Sequence, residues 1–156
     1  MDVNSNIHIE SGGFELLPKI EKLWYALKSQ QACYASAFCD MSSPTFELRQ
    51  KGLSEKSKAL LVEIAIDQNL NTQAGYCFSI VDHADTGEVE SLFLKEEYRR
   101  CGIGRELVTR AIKWMDQKNA KAKRLSVFSA NEEAIAFYKS MGFRARVLEL
   151  MIPNET

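Results

Sequence analysis

The 156-residue chain carries almost no excess charge, because 20 Lys and Arg residues stand against 21 Asp and Glu residues, for a formal net charge of −1. This balance gives no long-range attraction for nucleic acid or for an anionic membrane surface, so neither is expected as a partner. No stretch approaches the roughly 18 consecutive apolar residues that a membrane span needs. The first residues also lack the basic segment and apolar run of a secretory signal peptide.

Patterns for metal binding are missing as well. The four cysteines show no CxxC spacing and no histidine cluster lies near them, so no metal site is expected. Cys33, Cys77 and Cys101 lie among apolar residues, which is typical of small buried side chains in a reducing compartment, and we therefore predict a cytoplasmic protein. No linker-like or low-complexity stretch divides the chain, so residues 1–156 are expected to form a single domain.

Apolar spacing predicts a mixed sheet with helices packed on its faces. Strands that follow one another through short polar turns are expected to be antiparallel, whereas two strands joined by a helix of about 15 residues should be parallel. The predicted fold class is α/β of the mixed α+β type, with a mostly antiparallel twisted sheet of about six to seven strands and about four helices. Helices are predicted at 14–30, 45–54, 104–119 and 131–141, and strands at 7–10, 59–67, 74–81, 88–94, 124–129 and 143–152, the last as one long strand or two short ones.

Residues 89–105 hold the most informative pattern. A strand runs into a short polar loop, then into the glycine pair Gly102 and Gly104, and then into an amphipathic helix. Glycine lets a ligand approach the backbone closely, and the first N–H groups of a helix have no intrahelical acceptor. Because Arg99, Arg100 and Arg105 surround the same point, the segment predicts a pyrophosphate-binding site.

Two well-known phosphate motifs are excluded by what this segment lacks. The dinucleotide fingerprint GxGxxG would need a third glycine at position 107, where the chain has Leu107. A P-loop would need Gly-Lys-Ser or Gly-Lys-Thr, and neither follows. A tight turn with surface arginines is the simpler interpretation, but the strand before it, the helix after it and the three arginines favour phosphate binding.

Two segments resemble the signature of a known family. The pattern RxxGxG at residues 99–104 resembles the (Q/R)xxGx(G/A) signature of the GNAT superfamily of N-acetyltransferases. The pattern NxxAxxxYxxxGF at residues 131–143 resembles another segment of that family, and the two segments have the family's usual separation. One position departs from the family, since a proline common two residues after the strand is Glu96 here, which should alter the loop and leave the phosphate site intact.

The resemblance implies a splayed pair of parallel strands, 88–94 and 124–129, with acetyl-CoA as co-substrate between them. The pantetheine arm would lie along the first strand like an additional strand, and the pyrophosphate would meet the N–H groups of the glycine loop. Asn131 is equally well explained as the cap of the next helix, and one residue can serve both roles. The residues predicted to contact the coenzyme are Leu92, Phe93, Leu94, Arg99, Arg100, Cys101, Gly102, Ile103, Gly104, Arg105, Asn131 and Tyr138.

Tyr138 is also the predicted catalytic side chain. Taken alone it would be a core tyrosine beside Phe137 and Met141, but the matching tyrosine of the family faces the sulfur and stabilises the departing thiolate. A phenol of pKa about 10 and a thiol of pKa about 8.5 differ by roughly 2 kcal/mol, so a hydrogen bond or a late proton transfer is energetically reasonable.

Glu90 and Glu88 are the candidates for the base that accepts the amine proton. They lie two residues apart on one strand and share a face at the edge of the predicted cleft. Some family members hold a water with a glutamate of this strand; we favour Glu90, with Glu88 second, and a pair of solvated strand-edge charges is the alternative. At pH 7 a lysine-like amine costs about 4.6 kcal/mol to deprotonate and an α-amine about 1 kcal/mol, so the need for a base depends on the acceptor.

The resemblance implies an acetyl-CoA-dependent N-acetyltransferase that acts directly on a primary amine through a ternary complex. The alternative is a non-catalytic acyl-CoA-binding sensor or regulatory module of the same fold, and a longer acyl donor is also left open. The acceptor, a small molecule or a peptide, is not identified, and a homodimer is left open. The acceptor side is expected in the N-terminal helices, which include Trp24, Tyr25, Tyr34, Phe38 and Phe46.

Overall fold

The computed structural model describes residues 3–35, 38 and 45–154. Within these residues, five strands form one sheet in the order β1–β2–β3–β4–β5, antiparallel except for the parallel pair β4–β5. The strands are β1 Ile7–Gly12, β2 Ser57–Asp67, β3 Thr72–Asp82, β4 Thr86–Leu94 and β5 Ala122–Leu125. The α-helices of this part of the chain are α1 Glu21–Ala35, α2 Phe46–Lys56, α3 Ile103–Gln117 and α4 Glu132–Ser140, and short 3₁₀ helices cover Val3–Asn6, Phe14–Ile20 and Glu96–Tyr98.

The sheet confirms the predicted fold class but is smaller than expected. The mixed α+β architecture with one parallel pair is present, whereas six to seven strands were predicted and five are found. Residues 143–152 have no regular secondary structure, so the strand predicted there was wrong. β5 was predicted at 124–129 but ends at Leu125. Because its pairing with β4 stops there, residues 143–152 have no extended strand edge beside which they can form a further strand. Apolar side chains of the segment 143–152, such as Leu150 and Ile152, are exposed instead.

Local sequence explains where the first helices begin. The first part of the helix predicted at 14–30 is a 3₁₀ helix that contains Pro18, because proline has no N–H for the α-helical ladder. The helix predicted at 45–54 is confirmed as α2, and the Thr45 hydroxyl caps it by accepting a hydrogen bond from the Leu48 N–H at 3.3 Å.

No helix among the described residues is long and apolar enough to cross a membrane.

Helices pack on both faces of the sheet. α1, α2 and the second 3₁₀ helix cover one face, and Trp24 and Phe93 belong to the buried cluster there. α3 covers the opposite face, where Val89 and Leu107 are buried. These four helices therefore bury apolar side chains against the sheet, and burial of apolar surface is the main favourable term in folding.

A β-bulge in β4 decides which side chains share a face near the site. The register with β3 passes from Ser91 directly to Val89, so that Glu90 is the extra residue. Val89 packs in the cluster under α3 and Phe93 in the cluster under α1, although residues four apart in a regular strand share a face. A bulge produces such a switch, and Glu90 and Ser91 are consequently both directed to the face that α1 and α2 cover.

Candidate functional site

The candidate site lies where the two parallel strands part. The ladder between β4 and β5 ends at the pair Val89 and Leu125. Beyond that pair a cavity of about 930 Å³ opens, lined by residues 90–94 of β4 on one side and by residues 126–128 on the other. The splay implied by the resemblance is therefore present. Among the described residues, it leaves one main-chain edge of β4 without a neighbouring strand beyond Val89.

The loop between β4 and α3 and the first turn of α3 form a cradle, residues 99–105, at one end of the cavity; the main-chain N–H groups that face a ligand there are those of residues 100–105, since the Arg99 N–H donates to the Glu96 carbonyl at 3.1 Å. Arg100 has a φ of 60° and Gly102 a φ of 87°, both in the left-handed region. Such a conformation costs a non-glycine residue about 1–2 kcal/mol, and backbone strain of this kind clusters at functional sites. Gly102 is the N-cap of α3 and offers no side chain to the first N–H groups of the helix. These groups therefore remain available to an anion.

A buried hydrogen bond ties this cradle to the sheet. Tyr98 precedes the cradle directly, and its buried hydroxyl donates to Asp67 Oδ2 at 2.7 Å. The bond from Tyr98 lowers the pKa of Asp67, and the same bond raises the pKa of Tyr98 to about 12, because it favours the charged carboxylate and the protonated phenol. Sequence reasoning missed this anchor, since neither residue belongs to a recognised motif.

Arg99 fixes the end of β4 rather than the cradle. Its Nε donates to the Leu94 carbonyl and its Nη2 to Gln30 Oε1, both at 2.9 Å. The guanidinium also lies 5.7 Å from the centroid of the Phe93 ring. These contacts join α1 to the strand whose main chain is predicted to hold the pantetheine arm.

Arg100 and Arg105 connect the cradle to α4. Arg100 Nη2 lies 3.4 Å from Glu133 Oε1, and Arg105 Nη2 donates to Ser140 Oγ at 2.9 Å. Both arginines line the cavity beside the first turn of α3. The cradle thus combines unpaired N–H groups, two guanidinium groups and the positive end of the α3 dipole, which are the components of a phosphate site.

Most of the predicted coenzyme residues come together at the cavity. All twelve except Cys101 and Ile103 line it. Cys101 Sγ donates to the Tyr98 carbonyl at 2.8 Å. Ile103 is the first residue of α3, and its side chain is buried in the cluster on the face that α3 covers. Asn131 Oδ1 accepts a hydrogen bond from the Ala134 N–H at 3.2 Å, so this residue caps α4 and lines the cavity at the same time.

Tyr138 stands on α4 in the cavity wall. Its ring meets those of Phe137 and Phe143 edge-on, with centroids 5.0 Å and 5.8 Å away. Burial raises the pKa of the Tyr138 phenol above its ordinary value, so the phenol keeps its proton at neutral pH. Within the described part of the chain, the Tyr138 hydroxyl has no hydrogen-bond partner. A protonated donor is therefore available in the cavity.

The two candidate bases have different surroundings. Glu90 lines the cavity with a carboxylate that is 4% exposed, and Arg49 Nη2 contacts its Oε2. Lys56 Nζ lies 2.5 Å from the other oxygen, Oε1. Glu88 is outside the lining of the cavity, and its Oε2 accepts from Arg124 Nε at 3.2 Å. The fold brings Glu90 to the site, and neither glutamate is a free strand-edge charge.

Side chains of α1 and α2, together with residues 126–128, form what we call the acceptor half of the cavity. Of the five aromatic residues predicted there, Trp24 and Tyr34 line the cavity, whereas Tyr25, Phe38 and Phe46 do not. Tyr34 stacks on Phe128 with the ring centroids 6.1 Å apart, so α1 contacts the segment after β5.

Sequence reasoning missed the charged residues of the acceptor half. Lys28 on α1 and Arg49 on α2 both line the cavity. Lys28 Nζ lies 5.2 Å from the centroid of the Trp24 ring, and the spacing of four residues on one helix could have indicated this contact. Arg49 had no comparable signal, because its partner Glu90 is 41 residues away in the chain.

The cysteines are distributed differently from the prediction. Cys77 is buried and Cys101 partly buried, but Cys33 is exposed on α1, so the expectation of burial was wrong for Cys33. In the residues that the structure describes, no group of three or more His, Cys, Asp and Glu side chains is arranged to hold a metal ion.

Comparison with known proteins agrees with this geometry. Residues 23–143 match the model of the acetyltransferase (GNAT) family. An N-acetyltransferase of Archaeoglobus fulgidus, described as uncharacterized, is 36% identical over 67 residues, which are 43% of this chain and 46% of that protein. The chain therefore spans less than half the length of the curated relatives that it matches.

Solved structures share the fold over nearly the whole chain. An aminoglycoside acetyltransferase from an uncultured soil metagenomic sample, in complex with trehalose, has a TM-score of 0.66 at 19% identity, with 98% of this chain and 99% of that one covered. AAC(6′)-Iy in complex with the bisubstrate analogue CoA-S-monomethyl-acetylneamine has a TM-score of 0.65 at 13% identity, with 96% and 99% covered. Likeness at these identities shows the fold alone.

Proposed function

We propose that this chain, which belongs to the acetyltransferase (GNAT) family, moves the acetyl group of acetyl-CoA directly to a primary amine within a ternary complex. The observation that carries the proposal is the cavity at the strand splay, where the cradle of residues 99–105 and Tyr138 line one continuous space. The cradle offers a binding site for the phosphates of the coenzyme. Tyr138 offers a hydrogen-bond donor for the negative charge that develops during acyl transfer from a thioester.

The coenzyme fits the residues present. The main chain of Leu92, Phe93 and Leu94 would hold the pantetheine amides, since this edge of β4 has no strand partner beyond Val89. The N–H groups of the cradle, with Arg100 and Arg105, would hold the pyrophosphate. When bound, acetyl-CoA supplies an activated acetyl thioester, so no covalent enzyme intermediate is needed.

Tyr138 would donate a hydrogen bond to the sulfur as the thiol departs. Its phenol is protonated and has no competing partner among the described residues. Because burial raises the pKa of Tyr138, donation of a hydrogen bond is favoured over complete transfer of the proton. This unused donor is also what supports catalysis over the alternative of a non-catalytic acyl-CoA-binding module.

Glu90 is the first candidate to accept the amine proton, and Glu88 is the second. The bulge directs Glu90 to the acceptor half, and its Oε1 accepts no well-aligned hydrogen bond from the residues described here although Lys56 Nζ lies 2.5 Å away. That oxygen could take a proton from a bound water or from the amine. Its contact with two cations also supports a second role, in which Glu90 holds Arg49 in place.

The experiment is a screen of primary amines with acetyl-CoA, with release of the free thiol and the mass of the acetylated product as readouts. We expect the Tyr138→Phe variant to bind acetyl-CoA within a few-fold of the parent and to turn over roughly ten- to a thousandfold more slowly. Phe retains the ring contacts with Phe137 and Phe143, so the melting temperature should barely move.

Tyr25→Phe is the matched control, because the Tyr25 hydroxyl lies outside the cavity and accepts a hydrogen bond from the Phe46 N–H at 3.1 Å. Turnover of this variant should equal that of the parent. Equal turnover of Tyr138→Phe would show that Tyr138 is only a packing residue. Coenzyme binding without thiol release on any amine would establish the binding module instead.

A further inference from the structure

The acceptor half contains an arginine that acetyl transfer itself does not use. Arg49 lines the cavity with a side chain that is 31% exposed, and one of its terminal nitrogens contacts Glu90. A guanidinium carries five N–H donors in a rigid fork, and among the residues that the structure describes the contact with Glu90 leaves most of them unused. Because Glu90 fixes one side of the fork, the other donors have a defined position in the cavity wall.

The charges around Arg49 favour an anionic group on the acceptor. Glu90 is in contact with two cations, Arg49 and Lys56, so its negative charge is already compensated. Lys28 adds a further positive charge to the lining of this half. Two other carboxylates line the cavity: that of Glu133, which lies 3.4 Å from Arg100, and that of Glu149, an exposed residue. A polycationic acceptor would therefore meet little uncompensated negative charge here.

The contact between Arg49 and Glu90 also sets the spacing of groups on the acceptor. If the amine lies at Glu90, an anionic group bound to the remaining donors of Arg49 must be only a few bonds from that amine. An α-amino carboxylate has this arrangement, since one carbon separates its nitrogen from its carboxyl group. An amine at the end of a long chain does not.

Part of the wall of the acceptor half is apolar. Trp24, Leu27 and Phe128 line it, and the stacked pair of Tyr34 and Phe128 lies across the two sides of the cavity. Such a surface accommodates an aliphatic or aromatic side chain.

Building on the proposed acetyl transfer, we propose that the acceptor is an amino acid with an apolar or aromatic side chain, whose carboxylate is bound by Arg49. The α-amine then lies beside Glu90, and the side chain packs on the aromatic wall. In the reaction the amine nitrogen forms the new bond to the acetyl carbon, the carbon–sulfur bond breaks, and the amine loses one proton while the sulfur gains one. Arg49 is a specificity residue in this scheme and takes no part in the proton transfers.

The first experiment compares amines that differ only in the carboxyl group. L-Phenylalanine is tested against 2-phenylethylamine and phenylalaninamide, and L-leucine against 3-methylbutylamine, with spermidine and kanamycin as polycations. We expect kcat/KM to be at least about tenfold higher for each acid than for its analogues, since a site built to bind a charged group discriminates against its absence. Equal or higher values for the decarboxylated amines or the polycations would overturn the proposal.

The second experiment separates Arg49 from its partner. Arg49→Gln should lower kcat/KM for phenylalanine by about 10- to 100-fold and change the value for 2-phenylethylamine by less than about threefold. Lys56→Gln is the matched control, because Lys56 also contacts Glu90 but does not line the cavity. Equal losses on both substrates, or equal losses in the two variants, would show that Arg49 acts only through Glu90.

Failure of this inference and failure of the proposed function are distinguishable. If amines without a carboxyl group are acetylated as well as amino acids, the transfer reaction stands and the acceptor class is wrong. If thiol is released with no amine of the panel while acetyl-CoA still raises the melting temperature, the proposed reaction fails before the acceptor question arises. Arg49→Gln should still unfold cooperatively and bind acetyl-CoA as the parent does, which shows that the variant is folded, and its melting temperature should fall because the buried Glu90 carboxylate then keeps only Lys56 as a charged partner.

Discussion

The two halves of the cavity are built by different means. The coenzyme half consists mainly of backbone: the N–H groups of residues 100–105, the free edge of β4 and the capping residue Asn131. The acceptor half consists of side chains from α1, α2 and the segment after β5, held by contacts such as that between Arg49 and Glu90. Backbone geometry depends on a short run of sequence, whereas side-chain geometry depends on residues that are distant in the chain.

This difference determines what a substitution does in each half. In the coenzyme half, a substitution should matter when it adds a Cβ or changes a backbone angle. In the acceptor half, it should matter when it removes a charge or a donor. The following predictions are ordered from the largest expected effect to the smallest, and each compares one half with the other.

Glu90→Gln should have the largest effect and should act on the acceptor half alone. Gln retains an oxygen that can accept from Arg49 but cannot take up a proton. If Glu90 is the base, we expect kcat at pH 7 to fall by about a hundredfold or more while the coenzyme-induced shift in melting temperature is unchanged. The deficit should shrink as pH rises, because the free amine then loses its proton to solvent.

Glu88→Gln is the control for this prediction. Glu88 lies two residues from Glu90 but outside the cavity, where it pairs with Arg124. Its substitution should leave turnover within about twofold of the parent, since Glu88 does not line the cavity and its partner Arg124 is 55% exposed, so that the ion pair contributes little. If kcat of Glu90→Gln equals that of the parent, Glu90 is not the base and serves only to hold Arg49 and Lys56 in place.

Gly102→Val should have the next largest effect and should act on the coenzyme half alone. The new side chain occupies the backbone surface that the pyrophosphate is proposed to approach. We expect the affinity for acetyl-CoA to fall at least about tenfold, and most of the coenzyme-induced rise in melting temperature to disappear. Turnover at saturating coenzyme should change less than affinity does.

Gly142→Val isolates the strain that this substitution also introduces. Gly142 has a φ of 98°, close to the 87° of Gly102, and a Cβ there would meet no atom within 4 Å. Both variants should lose about 1–2 kcal/mol of stability through the left-handed backbone. Only Gly102→Val should also lose coenzyme affinity. If both bind acetyl-CoA as well as the parent, the cradle assignment is wrong.

The same contrast explains what could be predicted from the sequence. The RxxGxG and NxxAxxxYxxxGF patterns located the cradle, Asn131 and Tyr138, because each pattern specifies local backbone geometry. Arg49 was missed, since its partner lies on another element and no local pattern relates them. The strand expected at 143–152 was wrong for a related reason: apolar composition permits a strand, but pairing requires a neighbouring ladder, and β5 ends at Leu125.

Tyr98→Phe should have the smallest effect on function, because it loosens the cradle without touching the cavity. Loss of the hydrogen bond to Asp67 should lower the melting temperature at pH 7 by roughly 3–8 °C. The folded protein lowers the pKa of Asp67, so the stabilisation is fully present above the unfolded value of about 3.9 and is lost as pH falls through the lower pKa of the folded state. The difference in melting temperature between parent and variant should therefore be the same at neutral and mildly acidic pH and should shrink progressively below about pH 4, in a series of melting curves from neutral to acidic pH. If the difference in melting temperature between parent and variant stayed constant with pH, the hydrogen bond to the Asp67 carboxylate would not be what stabilises the cradle. The affinity of the variant for the coenzyme should then match that of the parent.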